Sequence, residues 1–178
     1  MKRWPMKRWM FAVFTGCLMG CLLLPVSAVA IDLTTFPSAV LPGLSGVFTG
    51  DRPSDIGVTA GQLLPCPASP NCVVSQGADE DHSIAPLRYK TDRETARETL
   101  LAILQQQPRI EVVQQTPDYI EVEFTSRLMG FVDDGEFYFP PNEKVIHVRS
   151  AARLGESDLG VNRRRIEQFR FALAELGV

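Results

Sequence analysis

The sequence predicts an α+β domain in which an antiparallel sheet of about five strands carries two helices on one face. Two segments with apolar residues at helical spacing flank four short stretches in which apolar and polar residues alternate. The predicted order of elements is β-α-β-β-β-β-α. Short turns between the strands favour antiparallel pairing, and helices on one face leave the other face open to solvent or to a ligand.

The first strand and the first helix precede the main run of strands. Ile84–Tyr89 is a short strand candidate. Thr91 and Glu94 match a capping box, which predicts a helix over roughly 92–106, and Pro108 follows its end. The apolar stripe of this helix consists of Ala96, Leu100, Ile103 and Leu104.

Four strands follow in close succession. They are predicted at Ile110–Gln114, Tyr119–Arg127, Phe131–Phe139 and Val145–Arg153. Successive side chains of a strand point to opposite faces, so the third strand separates Asp133 from Asp134 and Glu136. A second helix is predicted to begin near Ser157 or Asp158 and to end at Leu176, with Gly177 at its C-terminal cap.

Residues 1–30 have the pattern of an export signal. A basic start is followed by an apolar run from Trp9 to Leu24 and by small residues, which predicts cleavage between Ala30 and Ile31. Leu18-Met19-Gly20-Cys21 also resembles a bacterial lipobox, so lipid anchoring at Cys21 is an alternative. The apolar run that continues after Cys21 argues against lipidation. An uncleaved membrane anchor is a second alternative, and it is less favoured because Trp9–Leu24 is short of the ~20 residues that span a bilayer.

Residues 31–64 are rich in Pro, Gly, Ser and Thr, and they show neither a helical nor an alternating period. We interpret them as a linker or a loosely packed extension that precedes a single domain at 65–178. The segment retains apolar residues such as Phe36, Val40 and Phe48, more than a solvated tether needs. Part of it is therefore expected on the domain, on a partner or at a membrane surface.

Cys66 and Cys72 are the only cysteines after the export signal. In an oxidising compartment, a close pair of cysteines predicts a disulfide, here within a proline-rich turn. A metal site would need more ligands than these two thiols and a distant His82, and a redox dithiol usually has the tighter C-x-x-C spacing. Both alternatives are less favoured, and no metal or cofactor is expected.

The charge balance disfavours nucleic-acid binding. The export signal holds four of the 18 basic residues, and its removal leaves 14 basic against 21 acidic residues, a net charge of −7. Sequence-independent binding to nucleic acids relies on neutralising phosphates, which such a protein does poorly.

Three motifs follow one another along the domain. They are Cys66-Pro67-Ala68-Ser69-Pro70-Asn71-Cys72, the stretch from Ser126-Arg127 to Glu136-Phe137, and Val148-Arg149-Ser150 followed by Ser157-Asp158 and Gly160-Val161-Asn162-Arg163-Arg164-Arg165. With these motifs, the chain from about Gly61 to Leu176 resembles the DUF1499 family, found in bacteria and plastid-bearing organisms. Arg52-Pro53-Ser54 and Gly57-Val58 resemble its cyanobacterial and plastid branch. The family is one of unknown function, so the resemblance implies no catalytic residues.

Asp133 and Asp134 are candidates for acid–base catalysis or for metal binding. Adjacent strand residues face opposite ways, however, so the two do not form a shared carboxylate dyad. Asp134 and Glu136 do share a face, but two acids alone make a weak calcium site. The serines have only His82 and His147 as histidine partners, and no nucleophile elbow or phosphate loop is present.

Charge complementarity across the sheet is the remaining signal. If the last three strands form a meander, Asp134 and Glu136 lie beside Arg149 and Arg153, with Arg127 on the other side. The structural interpretation is a ladder of exposed salt bridges, each contributing roughly 0.2–1 kcal/mol. The functional interpretation is a binding surface for an anionic group or an acidic partner.

The start of the second helix extends this candidate surface. Asn162, Arg163 and Arg164 lie in or near its first turn, where Asp158 is expected to offset their positive charge. Free backbone donors there, together with Arg149, Arg153 and Arg163, would suit a carboxylate or a phosphate.

These features predict an exported, non-enzymatic binding or accessory protein of the periplasm or thylakoid lumen. Its expected partners are a protein of the envelope or photosynthetic membrane, with peripheral membrane association as a further expectation. The alternative is a binder of an anionic small molecule, or an enzyme, that uses Arg127, Asp134, Arg149 and Arg153.

Overall fold

The computed structural model describes residues 46–178. The predicted export signal with its cleavage site at Ala30 and Ile31, the alternative anchor at Cys21, and residues 31–45 of the extension lie outside the described part. Neither helix within residues 46–178 has the length and apolar character required to cross a bilayer.

A six-stranded antiparallel sheet and two helices form the domain, as the α+β prediction requires. In chain order, the elements are β1 (Val58–Thr59), β2 (Gln62–Leu63), β3 (Cys72–Val74), β4 (Leu87–Arg88), α1 (Arg93–Gln106), β5 (Ile110–Gln115), β6 (Tyr119–Thr125), β7 (Val132–Tyr138), β8 (Val145–Ala152) and α2 (Val161–Glu175). The sheet has the order β3-β8-β7-β6-β5, β4 also pairs with β8, and β1 and β2 form a separate hairpin.

Three of these strands were not expected from the sequence. β1, β2 and β3 are two or three residues long, too short to display an alternating pattern. β3 also follows the proline-rich turn directly. β3 pairs with β8 in the register Val73↔Ser150. This pairing is a tertiary contact, which the local sequence does not predict.

Helix α1 begins with a different cap from the predicted Thr91–Glu94 box. Asp92 is the N-cap residue, and its carboxylate accepts hydrogen bonds from the backbone N–H of Thr95 at 2.9 Å and from the Thr95 hydroxyl at 2.7 Å. Asp92 therefore accepts from a free backbone N–H group in the first turn, which is the role that Thr91 had in the predicted box. The helix boundaries are therefore close to those expected, although the capping residues differ.

The hydrophobic core lies between one sheet face and both helices. Phe169 of α2 packs against Phe124 and Phe137 of the sheet, with ring centroids 6.0 and 5.8 Å apart. The predicted stripe of α1 is buried in the same core. Gly135 of β7 makes room for Phe124, because a Cβ at this glycine would lie 2.2 Å from the Phe124 ring.

The second sheet face is covered, which corrects the expectation that it is open to solvent or ligand. Residues of the extension lie on it: Arg52 pairs with Glu121, and the N–H of Gly57 donates to Glu136 at 2.8 Å. Leu63 is buried against Tyr119 and Tyr138 of the same face. The packing of the extension could not be predicted from the sequence, because its glycines and prolines prevent long regular elements with a periodic pattern.

Cys66 and Cys72 form the predicted disulfide, with their Cα atoms 5.7 Å apart. Cys72 is the first residue of β3, so the bond fixes the turn that leads into the sheet edge. The neighbouring Asn71 donates from its side chain to the Gly155 carbonyl at 2.6 Å, and its own carbonyl accepts from Ala152 N at 3.0 Å. The cysteine turn is thereby joined to the end of β8.

Candidate functional site

The predicted charge ladder exists, but it is buried. On the covered face, Glu121, Glu136 and Arg149 stand opposite one another on β6, β7 and β8, and each is 5% exposed or less. Exposed ion pairs contribute little to stability, whereas buried charges must be paired. The ladder is therefore a structural network inside the protein.

Glu136 is the centre of this network. Its carboxylate accepts hydrogen bonds from the Tyr119 hydroxyl at 2.9 Å and from Arg149 Nη1 at 3.2 Å, in addition to the bond from Gly57. Burial raises the pKa of Glu136 above its ordinary value, and the charge of Arg149 opposes that rise. Burial, reinforced by the charge of Glu136, also raises the pKa of Tyr119.

Arg153 joins two strands at the other end of the network. Its Nη2 lies 2.6 Å from Asp134 Oδ1 and 2.5 Å from Glu123 Oε1, and its Nε lies 3.0 Å from Asp134 Oδ2. The side chain is 5% exposed. Hydrogen bonding to Asp134 raises the pKa of Arg153. Glu123 of β6 is thus held as a second partner of this arginine.

Asp133 lies on the opposite face, as the alternation predicted. Its carboxylate pairs with Arg165 Nη2 at 2.8 Å, and the Arg165 guanidinium also lies 4.1 Å from the centre of the Phe124 ring. Burial raises the pKa of Asp133, and the charge of Arg165 opposes that rise. Asp133 and Asp134 therefore have separate arginine partners.

The predicted anion site at the start of α2 is filled by the protein's own groups. Asp158 accepts from Gly160 N at 2.9 Å and from Asn162 N at 2.7 Å, which satisfies donors that an external anion would need. The Arg163 guanidinium donates to the carbonyls of Ser83 and Asp81. Arg164 donates to the Leu159 carbonyl at 2.8 Å.

Asn162 completes the inner side of this turn. It is fully buried, and its amide oxygen accepts from the Ser150 hydroxyl and from Arg165 Nη1, each at 2.6 Å. Its amide nitrogen donates to the Asn71 carbonyl at 3.1 Å. Asn162 is therefore a connector between α2, β8 and the cysteine turn.

Arg127 does not lie beside Asp134. β6 ends at Thr125, and Ser126 closes a turn by accepting from Phe131 N through its hydroxyl at 2.9 Å. Arg127 is exposed in this turn and lines a cleft on the helix side of the sheet. The prediction extended β6 by two residues, because Ser126 and Arg127 continue the alternating pattern.

The cleft holds three arginines above an apolar floor. It has a volume of about 290 Å³ and lies where α1 ends, β5 begins, β6 ends and α2 begins. Arg109, Arg127 and Arg165 line it, and Arg165 is paired with Asp133. Within residues 46–178, the side chains of Arg109 and Arg127 make no ion pair. The floor consists of Ile103, Ile110, Phe124, Phe169 and Ala172.

Arg109 has a backbone φ of 68°, in the left-handed region. This conformation costs a non-glycine residue about 1 kcal/mol or more. It is held in place because the Arg109 carbonyl accepts from Thr125 N at 2.9 Å. The strained backbone is therefore built into the junction of β5 and β6 at the cleft.

Two further depressions, of about 430 and 380 Å³, are shallower than the cleft and lie between the extension and the strands β5 and β6. They carry the carboxylates of Asp118 and Glu121, and their one arginine, Arg52, pairs with Glu121. They are poorer sites for an anion than the cleft. Among residues 46–178, no cluster of three or more His, Cys, Asp or Glu side chains is arranged to hold a metal ion.

The fold and the sites define an α+β domain with a buried ion-pair network on one sheet face and an arginine-lined cleft beside the helices. The chain belongs to the DUF1499 family: the family pattern, described as a protein of unknown function, matches residues 62–173. No curated protein and no solved structure matches the chain.

Proposed function

We propose that the protein is a non-enzymatic binding module that captures a carboxylate or phosphate group in the arginine cleft. The observation that carries this proposal is the contrast between two sets of arginines. Arg149, Arg153 and Arg165 are already paired with buried carboxylates. Arg109 and Arg127 line an accessible cleft without an anionic partner among the described residues.

The cleft has the chemistry that anion capture requires. A guanidinium offers parallel N–H donors that match the oxygens of a carboxylate or phosphate, and such charge-assisted bonds are stronger than neutral ones. The apolar floor lowers the local dielectric, which strengthens these interactions relative to a fully solvated surface. An anion attached to a compact apolar or aromatic body would use both features.

This proposal moves the candidate surface away from the predicted sheet face. Arg127 is on the helix side of the sheet, whereas Asp134 and Arg149 lie under the extension. The four residues of the alternative site therefore do not converge on one cavity. The chemistry available in the cleft is recognition through cations and apolar surface, and this supports an accessory role.

We further infer that the protein acts outside the cytoplasm, in a periplasm or a thylakoid lumen. The export signal pattern at residues 1–30 supports this location, and the Cys66–Cys72 disulfide is typical of oxidising compartments. The Arg52-Pro53-Ser54 and Gly57-Val58 segments support placement in the cyanobacterial and plastid branch. A partner in the envelope or photosynthetic membrane fits this location.

The proposal is tested by calorimetric titration with inorganic phosphate and with benzoate. We expect saturable binding, with benzoate favoured because its ring contacts the apolar floor. Arg109→Gln and Arg127→Gln should each weaken binding about tenfold, since each removes a charge-assisted hydrogen bond. Arg88→Gln is the matched control, because Arg88 is an exposed arginine on β4, outside the cleft.

Absence of saturable binding by both probes would overturn the proposal. An equal loss of affinity in the Arg88→Gln control would overturn it as well, because the effect would then follow from overall charge. Circular dichroism of each variant checks that the fold is retained.

A further inference from the structure

Arg165 takes part in two arrangements at once. Its guanidinium lines the cleft and lies 4.1 Å from the centre of the Phe124 ring, which belongs to the apolar floor. The same group donates from Nη2 to Asp133 Oδ2 at 2.8 Å. Arg109 and Arg127 line the cleft without a carboxylate partner in the described part of the chain. Arg165 therefore differs from them in that its charge is already compensated.

The Asp133 carboxylate is held less firmly than its neighbour on β7. In the described part of the chain, one hydrogen bond reaches its side chain, and it comes from Arg165. Asp134 accepts from both Nε and Nη2 of Arg153. A forked contact of this kind is stronger and geometrically more restricted than a single bond. Of these two buried pairs, the one between Asp133 and Arg165 is thus easier to open.

The surroundings of Asp133 disfavour its charged form. Burial raises the pKa of Asp133, and the charge of Arg165 on α2 opposes that rise. The charges of Asp158, in the turn before α2, and of Asp134, on the same strand, raise the pKa further. The cross-strand neighbours carry no charge: they are Phe124 on β6 and Ala152 on β8. Arg165 is therefore the principal group that favours the ionised carboxylate.

An anion in the cleft and the Asp133 carboxylate need the same cation. A carboxylate or phosphate that contacts Arg165 offers this arginine a second counterion. While Asp133 is ionised, drawing Arg165 toward the ligand leaves a buried carboxylate without its partner, which is costly. A neutral Asp133 removes this cost, because it no longer requires a cation. The cleft then presents three uncompensated arginines instead of two.

We propose that Asp133 is an internal competitor of the ligand for Arg165, and that it sets the affinity of the cleft for anions. The inference rests on the proposed capture of a carboxylate or phosphate in this cleft, and it adds a control of that capture by protons. Protonation of Asp133 and binding of the anion favour each other, because coupling between two sites is reciprocal. The anion is therefore held more tightly at low pH and released as the pH rises.

A matched control lies one residue further along β7. Asp134 carries the same charge and is also buried, but it lies on the other face of the sheet, where it pairs with Arg153. Asp134→Asn removes one negative charge without removing the partner of Arg165. Arg153 keeps Glu123 as a partner in this variant, so its charge remains paired.

The first experiment is a calorimetric titration with benzoate at pH 7.5. Asp133→Asn should bind benzoate about tenfold more tightly than the native protein, since one more charge-assisted contact becomes available. Asp134→Asn should bind it as the native protein does. Adding Arg165→Gln to Asp133→Asn should cancel the gain, because the gain depends on the charge of Arg165. Circular dichroism of each variant checks that the fold is retained.

The second experiment measures the pH dependence in the native protein. The probe is benzenesulfonate, whose charge stays constant between pH 7.5 and pH 4.5. On acidification, the affinity of the native protein should rise toward that of Asp133→Asn, up to about tenfold. The affinity of Asp133→Asn itself should stay nearly constant, because the group that titrates is gone.

Equal affinities of the native protein and Asp133→Asn would overturn the inference while leaving anion capture in the cleft intact. An equal gain in Asp134→Asn, a gain that survives Arg165→Gln, or an affinity of the native protein that does not change with pH would also overturn it. If neither the native protein nor Asp133→Asn binds benzoate or benzenesulfonate, anion capture itself fails, and this inference fails with it.

Discussion

Arg153 Nη2 lies 2.6 Å from Asp134 Oδ1 across two neighbouring strands, with both side chains almost completely buried. The same nitrogen lies 2.5 Å from Glu123. One arginine therefore pairs with two carboxylates that the extension helps to shield from water. This relationship makes the acidic face of the sheet a part of the interior of the protein.

The first prediction concerns this arginine. Arg153→Ala leaves the buried Asp134 without its cation, and the half-buried Glu123 loses the same partner, so the free energy of unfolding should fall by about 3–5 kcal/mol. Urea denaturation followed by circular dichroism measures the change. Arg164→Ala is the control, because Arg164 is exposed and a change there is expected within about 0.5 kcal/mol. Equal stabilities of the two variants would contradict a buried network.

Gly135 supplies the second prediction. Gly135→Ala places a Cβ about where the Phe124 ring lies, and overpacking of this kind lowers stability by about 1–3 kcal/mol. In a Phe124→Leu background, the same alanine should cost clearly less, because the ring that it meets is gone. A double-mutant cycle by chemical denaturation measures this coupling. Additive effects would show that the two residues do not compete for space.

The third prediction is a pH dependence. The folded-state pKa of Glu136 is raised by burial, so the folded protein binds a proton more readily there than the unfolded chain does. This group therefore adds stability as the pH falls from neutral through its folded pKa toward the unfolded value near 4.3. Glu136→Gln removes that gain.

The stability of Glu136→Gln relative to the native protein should consequently be higher at pH 7 than at pH 4. Urea denaturation of both proteins at the two pH values gives the comparison. A relative stability that is constant, or that rises on acidification, would contradict a raised pKa at Glu136.

The fourth prediction concerns the disulfide. Cys66 and Cys72 lie six positions apart in the sequence, and closing so small a loop contributes about 2 kcal/mol by restricting the unfolded chain. Dithiothreitol should therefore lower the melting temperature of the native protein, but not that of the Cys66→Ser/Cys72→Ser double variant. A similar decrease in both proteins would mean that the reductant acts elsewhere.

The sequence was sufficient for the fold class, because both helices and the four central strands carry their own periodicity. Tyr119–Thr125 alternates along its whole length, and Ala96, Leu100, Ile103 and Leu104 recur at helical spacing. The short strands β1, β2 and β3 gave no such signal. Their positions depend on pairing with distant residues or on a tight local turn.

The polar residues show the limit of the same reasoning. Alternation correctly separated Asp133 from Asp134, since it is a local property of one strand. It did not reveal that Glu121 and Glu136 are buried, because burial depends on Arg52, Gly57 and other residues far away in the chain. Arg109 and Arg165 were passed over as site residues because the cleft joins four elements that are separate in sequence.

The most direct test is an NMR titration of the arginine Nε–H resonances with benzoate. If the cleft captures the anion, the resonances of Arg109 and Arg127 should shift together and saturate, while those of Arg149 and Arg153 remain in place. Shifts at Arg149 and Arg153, with none at Arg109 and Arg127, would contradict this assignment and return the binding surface to the sheet face.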